Sequence, residues 1–480
     1  MNFALHQIDI LRRLVSGSSW FAACTILQQG FGFLITLLVA RILSPTEIGL
    51  IAIAWLTINA FDVFSRSGAS DALIHLKEDP QTYLTTFFWI ELIRGASLTT
   101  LGILTASPIA SFFGEPEAST LIIVISFIPL VRALRSPSLV LFQRELRFRS
   151  WGKLMSFAYA VSFIISLCAL FIWRTPVAYV ISIIAGELIT SLLSHLLFPF
   201  LPKLHFSLKS ARYLLNYGRW LLGAGIVSYL AIYLDRYVIG TLGDAAILGI
   251  YAVAGQIGEA FTYRISKALS VVLQPAYARL QADGGAAQLF ELVFKLCCTV
   301  LSLIALVVWF WLPHTIPLVL GEQWSHAIPI FSIFVLSGLL RSLSATGSPY
   351  FKGVGVPKLI FRIETLRAVT IAITMIPAFW YGGLFGAALA VAFTSAGQLL
   401  CTLFFLKKEA CINKPYLLTL LPITSVTIIT TLLLAVFRYH YHAQLYLCTA
   451  GFVCILSAYL LSVLIIERTW ISETRQLLKT

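Results

Sequence analysis

Charge is scarce in this sequence. Asp, Glu, Lys and Arg make up 11% of 480 residues, where a soluble globular chain carries about a quarter. That deficit excludes an ordinary soluble domain and, more firmly, a disordered one. The eight cysteines are scattered, with no C-x-x-C and no pairing with His at metal-ligand spacing, so they read as small apolar core residues. No G-x-x-x-x-G-K-[ST] is present. The run from Lys352 to Lys358 (KGVGVPK) has the glycines and lysines of a phosphate loop but reads as a tight turn. His440 and His442 lack a third ligand. Convergent Ser/His/Asp or paired-carboxylate sets are missing, and the outer connections are short, so catalysis has no evident seat. The chain therefore reads as a non-enzyme without a cofactor. Any active transport would draw on an ion gradient or on the substrate's own.

What is present is apolar. Hydrophobic residues reach 59% and the mean hydropathy is +0.89. Runs long enough to cross about 30 Å of hydrocarbon, roughly 20 residues each, recur along nearly the whole chain. About fourteen are expected, starting near residues 18, 47, 83, 117, 153, 176, 215, 246, 291, 327, 361, 383, 417 and 444. Between the spans at 361 and 383, Tyr381-Gly382-Gly383 must make the whole turn. The first seventeen residues read as a short amphipathic helix. The first run is full length with no A-x-A site after it, as in an uncleaved anchor.

Basic residues give the orientation. Taken alternately, one set of connections carries Arg12, Arg13, Lys77, Arg144, Lys203, Lys209, Lys352, Lys407, Arg475 and others, while the other set carries only Arg41, Arg174 and Arg438. The basic set is expected to be cytoplasmic, with both termini there. The net charge of +13 then reflects this bias and anionic headgroups, and requires no nucleic acid.

A repeat is also legible. Residue n over residue n + 200 matches Trp20 with Trp220, Gly49 with Gly249, Phe61 with Phe261 and Glu91 with Glu291. Six spans separate equivalent helices, so the halves run in the same direction. The expected fold is an all-α integral membrane protein with two parallel six-helix repeats plus two C-terminal helices. Its parts are an N-terminal lobe (1–198), a cytoplasmic linker (199–214), a C-terminal lobe (215–406) and a final segment (407–480).

Polar residues interrupt the apolar helices in two seams. Asn59, Asp62, Arg66 and Ser70 share one helical face, with Asp62 four residues before Arg66. Gln256, Glu259, Tyr263 and Lys267 would share another, beside Arg264, with Asp235 and Arg236 on the preceding span. A charge at the bilayer centre costs about 2.5 to 3.5 kcal/mol on insertion scales, so these groups must face protein or water. Either Glu259 neutralises Arg264 or Lys267 and glues helices together, or the stripe lines a water-filled path for an anionic substrate. Asp62, Asp235 and Glu259 are the candidates for ion coupling. Of the other buried charges, Arg132 and Arg135 have no acid within a helical turn.

The segments ARILSPTEIGL, LVLFQRELRFRSWGK, LDRYVIGTLG and VVLQPAYARLQAD resemble, in order, the polysaccharide exporters of the multidrug/oligosaccharidyl-lipid/polysaccharide superfamily. The resemblance is to the Wzx-type lipopolysaccharide and colanic-acid exporter branch and covers residues 10 to 410 or so. It implies a two-lobed alternating-access transporter in the bacterial inner membrane, flipping an undecaprenyl-pyrophosphate-linked oligosaccharide for cell-surface polysaccharide synthesis. Partners would be that lipid, the bilayer and other polysaccharide-assembly membrane proteins. On this reading Arg66, Arg236, Arg264 and Lys267 would meet the pyrophosphate, and Gln28, Gln29, Asn59, Tyr229, Tyr233 and Gln256 would hydrogen-bond sugars. A cation or drug antiporter of the same superfamily and a membrane glycan polymerase or ligase are the competing functions.

Overall fold

A computed structural model describes residues 24–65, 67–76, 80–144, 148–281, 285–409, 457 and 459, and these are mostly helical, without strands. Among the described residues eight helices are long and apolar enough to cross a membrane, and the helical stretches 118–133 and 245–260 are shorter apolar ones. The chain divides into two compact units. The spans expected near 417 and 444 and residue Arg66 lie outside the described residues.

The first unit takes residues up to 260 with 314–334 and 361–394. It contains α1 (Cys24–Ile42), α2 (Pro45–Phe64), α3 (Ala69–His75), α4 (Gln81–Phe112), α5 (Ala118–Ile125), α6 (Phe127–Ala133), α7 (Leu139–Arg144), α8 (Phe148–Trp173), α9 (Pro176–Leu197), α10 (Leu208–Leu242) and α11 (Ala245–Ala260). Its heart is α2 against α11. Ser44 and Glu47 close a capping box at the start of α2, with Ser44 N donating to Glu47 Oε2 at 2.8 Å. Asp244, two hundred residues on, accepts from Ile247 N at 2.7 Å, and Glu115 takes the Ala245 N–H at 2.7 Å. A Cβ on Gly49 would lie 1.7 Å from the Ala245 carbonyl oxygen, and one on Gly249 would lie 1.9 Å from that of Pro45. Only glycine permits this approach at either position, and the contact is reciprocal: 49 on 245, 249 on 45.

The same device packs α4 on its neighbours. A Cβ on Gly95 would meet the Pro129 carbonyl at 2.8 Å and one on Gly102 the Ser126 hydroxyl at 2.0 Å, while Thr99 donates to the Ser126 carbonyl at 2.6 Å. Serines tie α9 to α6 and the residues after it: Ser191 donates to the Val131 carbonyl at 2.8 Å, and Ser194 accepts from Ser136 N at 2.9 Å. Together these contacts hold Arg94, Arg132, Arg135 and Glu187 close to one another. At the far end of α1, the fully buried Trp324 donates from Nε1 to the Ala40 carbonyl at 2.8 Å, satisfying an orphan acceptor of the helix terminus.

Two expected helical faces are corrected. α2 ends at Phe64, and Gly68 at φ 62° begins a new segment, so Ser70 lies on α3 and shares no face with Asn59 and Asp62. The span from 246 to 280 breaks after Ala260, so Gln256 and Glu259 stand on α11 but Tyr263, Arg264 and Lys267 on α12 (Tyr263–Leu280). The turn at Tyr381-Gly382-Gly383 is as expected. Within α16 (Lys358–Glu409) Gly383 takes φ 56°, ψ −143°, and a Cβ on Gly386 would fall 2.0 Å from the Ala378 carbonyl, so the two arms touch backbone to backbone.

The second unit takes 261–313, 335–360 and 395–480. Within it, α12 packs on α15 (Gly347–Gly353): Tyr277 meets Tyr350 edge to face at 5.4 Å between ring centres. α13 (Gly285–Leu320) stacks Phe290 on Phe294 at 5.5 Å, and Ser337 and Ser344 of α14 (Ile328–Ala345) pair with Ser395 at 3.0 Å and Thr402 at 2.8 Å. After α15 the KGVGVPK run is a turn, with Gly355 at φ 82°.

Candidate functional site

The site grows from α10 and α11 of the first unit. Asp235 and Arg236 are adjacent on α10, and adjacent helical residues point about 100° apart, so the pair cannot close on itself. Asp235, 9% exposed, spends its oxygens elsewhere: Tyr251 of α11 donates its hydroxyl at 2.6 Å and the Arg236 backbone N–H donates at 2.8 Å. The Arg236 guanidinium instead stacks over Tyr233 at 5.3 Å from the ring centre. Its Nε is buried without a hydrogen-bond partner, and no carboxylate pairs with it among the described residues. An ionised side chain in this state inside a membrane protein is a candidate functional residue.

Arg236 lines a cavity of about 250 Å³ together with Tyr233, Asn59, Gln256, Thr36 and Trp55. Thr36 donates to Gln256 Oε1 at 3.1 Å, and to the Gly32 carbonyl at 2.9 Å. Beneath it, the hydroxyls of Tyr229 and Tyr237 share the Leu56 carbonyl at 2.8 and 3.2 Å and meet each other at 2.8 Å. The cavity thus offers one free cation, amides, hydroxyls and an indole face, the chemistry that holds an anion beside a sugar ring. It contains no carboxylate side chain. Three pairs of residues 200 apart line it: Thr36 and Arg236, Ala52 and Ala252, Leu56 and Gln256.

Of the residues expected from sequence, Asn59, Tyr233, Arg236 and Gln256 converge here, with Tyr229 supporting them from 4.9 Å behind Tyr233. Gln28 and Gln29 are half-buried on α1 and do not line this cavity. Glu259 is half-buried at the end of α11, while Arg264, half-buried, and Lys267, exposed, belong to the second unit. Asp62 lines a different cavity, where it meets Arg94 at 2.9 Å. Thr36 and Trp55 escaped the sequence reading. Thr36 had a signal, because the n + 200 register lays it over Arg236. Arg132 and Arg135 do have an acid: both bind Glu187 of α9, Arg132 at 2.8 Å, a partner too far along the chain for helical spacing to reveal.

No group of three or more His, Cys, Asp or Glu that would hold a metal occurs among the described residues. The cysteines described are free thiols, and Cys24, Cys297 and Cys298 are buried in the packing.

A bundle of apolar helices enclosing polar cavities defines a multi-pass helical membrane protein of the transporter type. The chain belongs to the polysaccharide biosynthesis protein family, which it matches over residues 38–329. It is 27% identical over 346 residues to the lipopolysaccharide biosynthesis protein WzxC of Escherichia coli K12, covering 70% of this chain and 69% of that protein. It is 23% identical to the succinoglycan biosynthesis transport protein ExoT of Rhizobium meliloti, covering 71% and 69%. With the teichuronic acid biosynthesis protein TuaB of Bacillus subtilis it shares 23% over 86% and 88%. The fold is that of the lipid II flippase MurJ in an inward closed conformation, with a TM-score of 0.74 at 15% identity over 94% of this chain and 99% of that one. An inward-facing multidrug resistance MATE transporter of the MOP superfamily follows at 0.64 and 14%, covering 80% and 94%.

Proposed function

We infer that this protein is a flippase that carries a lipid-linked oligosaccharide across the bacterial inner membrane for cell-surface polysaccharide synthesis. The observation that carries the reading is Arg236: a half-buried guanidinium, its Nε buried and unpartnered and no carboxylate paired with it among the described residues, in a cavity walled by Asn59, Gln256, Thr36 and Trp55. Such a cavity attracts an anion, as the pyrophosphate of an undecaprenyl carrier is, and offers hydrogen bonds to the sugar next to it. A cation antiporter would need carboxylates there instead. The relatives, named for lipopolysaccharide, succinoglycan and teichuronic acid biosynthesis, agree in substrate class while differing in polymer.

Both termini are cytoplasmic on this reading, from the placement of Lys and Arg in alternate connections. The two lobes, 1–198 and 215–406, would be related through the α2–α11 contact, which the reciprocal glycines support. Arg264 and Lys267 would meet the substrate from α12, and Asp235 and Glu259 stand as the coupling candidates.

Lipid extracts from cells lacking the protein test this directly. Complete lipid-linked repeat units should accumulate on the cytoplasmic face, and Arg236→Gln should leave the same species uncorrected at normal protein level. Single units stranded on the periplasmic face would point to polymerisation or ligation. An unchanged extract combined with lost dye efflux would favour an antiporter.

A further inference from the structure

Another cavity of the first unit lies away from Arg236. It holds about 500 Å³, the size of a small-ligand pocket, and Asp62, Glu91 and Arg94 of one ion cluster and Arg132 and Arg135 of another line it. In the first, Arg94 meets Asp62 and Glu91, each at 2.9 Å, and Ser67 donates to Glu91 at 2.8 Å. Two carboxylates against one guanidinium leave this cluster with one negative charge. In the second, Arg132 donates from Nε and Nη2 to Glu187 Oε1 at 3.0 and 2.8 Å while Arg135 takes the other oxygen. Two guanidiniums against one carboxylate leave one positive charge, and Arg135 Nε is buried without a partner among the described residues. No ion pair joins the two clusters among the described residues. Arg132 is 44% and Asp62 36% exposed, so both ends remain accessible.

We propose that this cavity is a second ligand site, taking an acidic sugar of the transported glycan. The sugar carboxylate docks between Arg132 and Arg135, its hydroxyls donate to Asp62 and exchange hydrogen bonds with Ser70, and its C–H face lies on Phe87 and Phe88. The charges select the ligand. A single carboxylate cancels the one surplus positive charge, and its planar oxygens suit the guanidinium fork that Glu187 already uses. A diphosphate brings at least two negative charges and meets Asp62 and Glu91 in the same space. A neutral sugar leaves the arginine cluster uncompensated. The proposal rests on the glycan-transport reading above but concerns a different set of residues from the Arg236 cavity.

The test uses the full chain purified in nanodiscs and titrated by calorimetry with methyl β-D-glucuronide, methyl β-D-glucoside and inorganic pyrophosphate. The glucuronide should bind about tenfold more tightly than the glucoside, and Arg132→Gln should weaken it by about tenfold, the scale of one charge-assisted contact. If Arg132→Gln does not fold, Ser70→Leu fills the cavity from an exposed position without removing a member of either cluster, and should abolish glucuronide binding. Glucoside binding as tight as glucuronide, pyrophosphate binding that displaces glucuronide at lower concentration, or glucuronide binding indifferent to both variants would each overturn the proposal. The flippase reading fails separately, on the leaflet distribution of lipid-linked units in the deletion strain.

Discussion

Arg236 on α10 and Arg135 in the bend after α6 both have a buried Nε without a partner among the described residues, yet their surroundings are opposite. Arg135 shares Glu187 with Arg132, an acid delivered by α9 through the serine contacts that pack it on α6. Arg236 has an acid as its immediate neighbour in sequence and gains nothing from it, because Asp235 turns toward Tyr251. What separates an acid-bound arginine from an unpaired one is therefore the tertiary neighbour, and sequence proximity misleads in both cases. The same contrast holds at the level of cavities: the larger one has its charges tied into clusters, and the smaller one holds a single free cation.

The strongest way to break this contrast is Glu187→Gln. It removes the one anion between two guanidiniums, and stranding buried charge costs about 3 kcal/mol, the lower end of the usual range because Arg132 is 44% exposed. Folded protein recovered after detergent extraction should drop sharply, and adding Arg132→Gln to Glu187→Gln should restore part of it. A Glu187→Gln protein with wild-type melting temperature would show that the cluster is not structural. Arg236→Gln should do the reverse. No partner is stranded, so the melting temperature should stay within about 2 °C, while export should fall by roughly ten- to a hundredfold, as for a lost charged contact to substrate. Arg236→Lys should fall between, keeping the charge but losing the planar stack on Tyr233.

Next in size come the paired glycines. Gly49→Val and Gly249→Val each drive a side chain into a carbonyl of the facing helix, an overpacking worth about 1 to 3 kcal/mol. Because the contact is reciprocal, the two losses in melting temperature should be similar. A large loss at one position and none at the other would show that the α2–α11 interface is not two-fold in energy, and would weaken the proposed pairing of lobes.

Much of this was legible in the sequence because it depends on local spacing. The eight long apolar helices among the described residues follow from run length, the turn at Tyr381-Gly382-Gly383 from glycine, and the α2–α11 correspondence from the n + 200 register. Convergence of Asn59, Tyr233, Arg236 and Gln256 followed from placing both seams on equivalent helices. What stayed hidden depends on contacts between helices distant in sequence. Glu187 reaches Arg132 from more than fifty positions away, and Arg94 takes Asp62 from another helix. The break after Ala260 was also missed, since the apolar and polar residues around it keep a helical period through Lys267.

The smallest expected effect probes the smaller cavity without touching a charge. Thr36→Val removes the hydroxyl that sits at the repeat position of Arg236 and reaches Gln256 Oε1 at 3.1 Å. That hydroxyl has one proton and also faces the Gly32 carbonyl at 2.9 Å, so the bond to Gln256 exists only part of the time. Its loss should cost about 0.5 kcal/mol, below a full hydrogen bond, and lower export by about twofold at unchanged protein level. Thr36→Ser keeps the hydroxyl and should restore export. If Thr36→Val instead reduced export as far as Arg236→Gln, Gln256 rather than the free guanidinium would be the principal contact with substrate, and the distinction between acid-bound and unpaired arginines would lose its functional meaning.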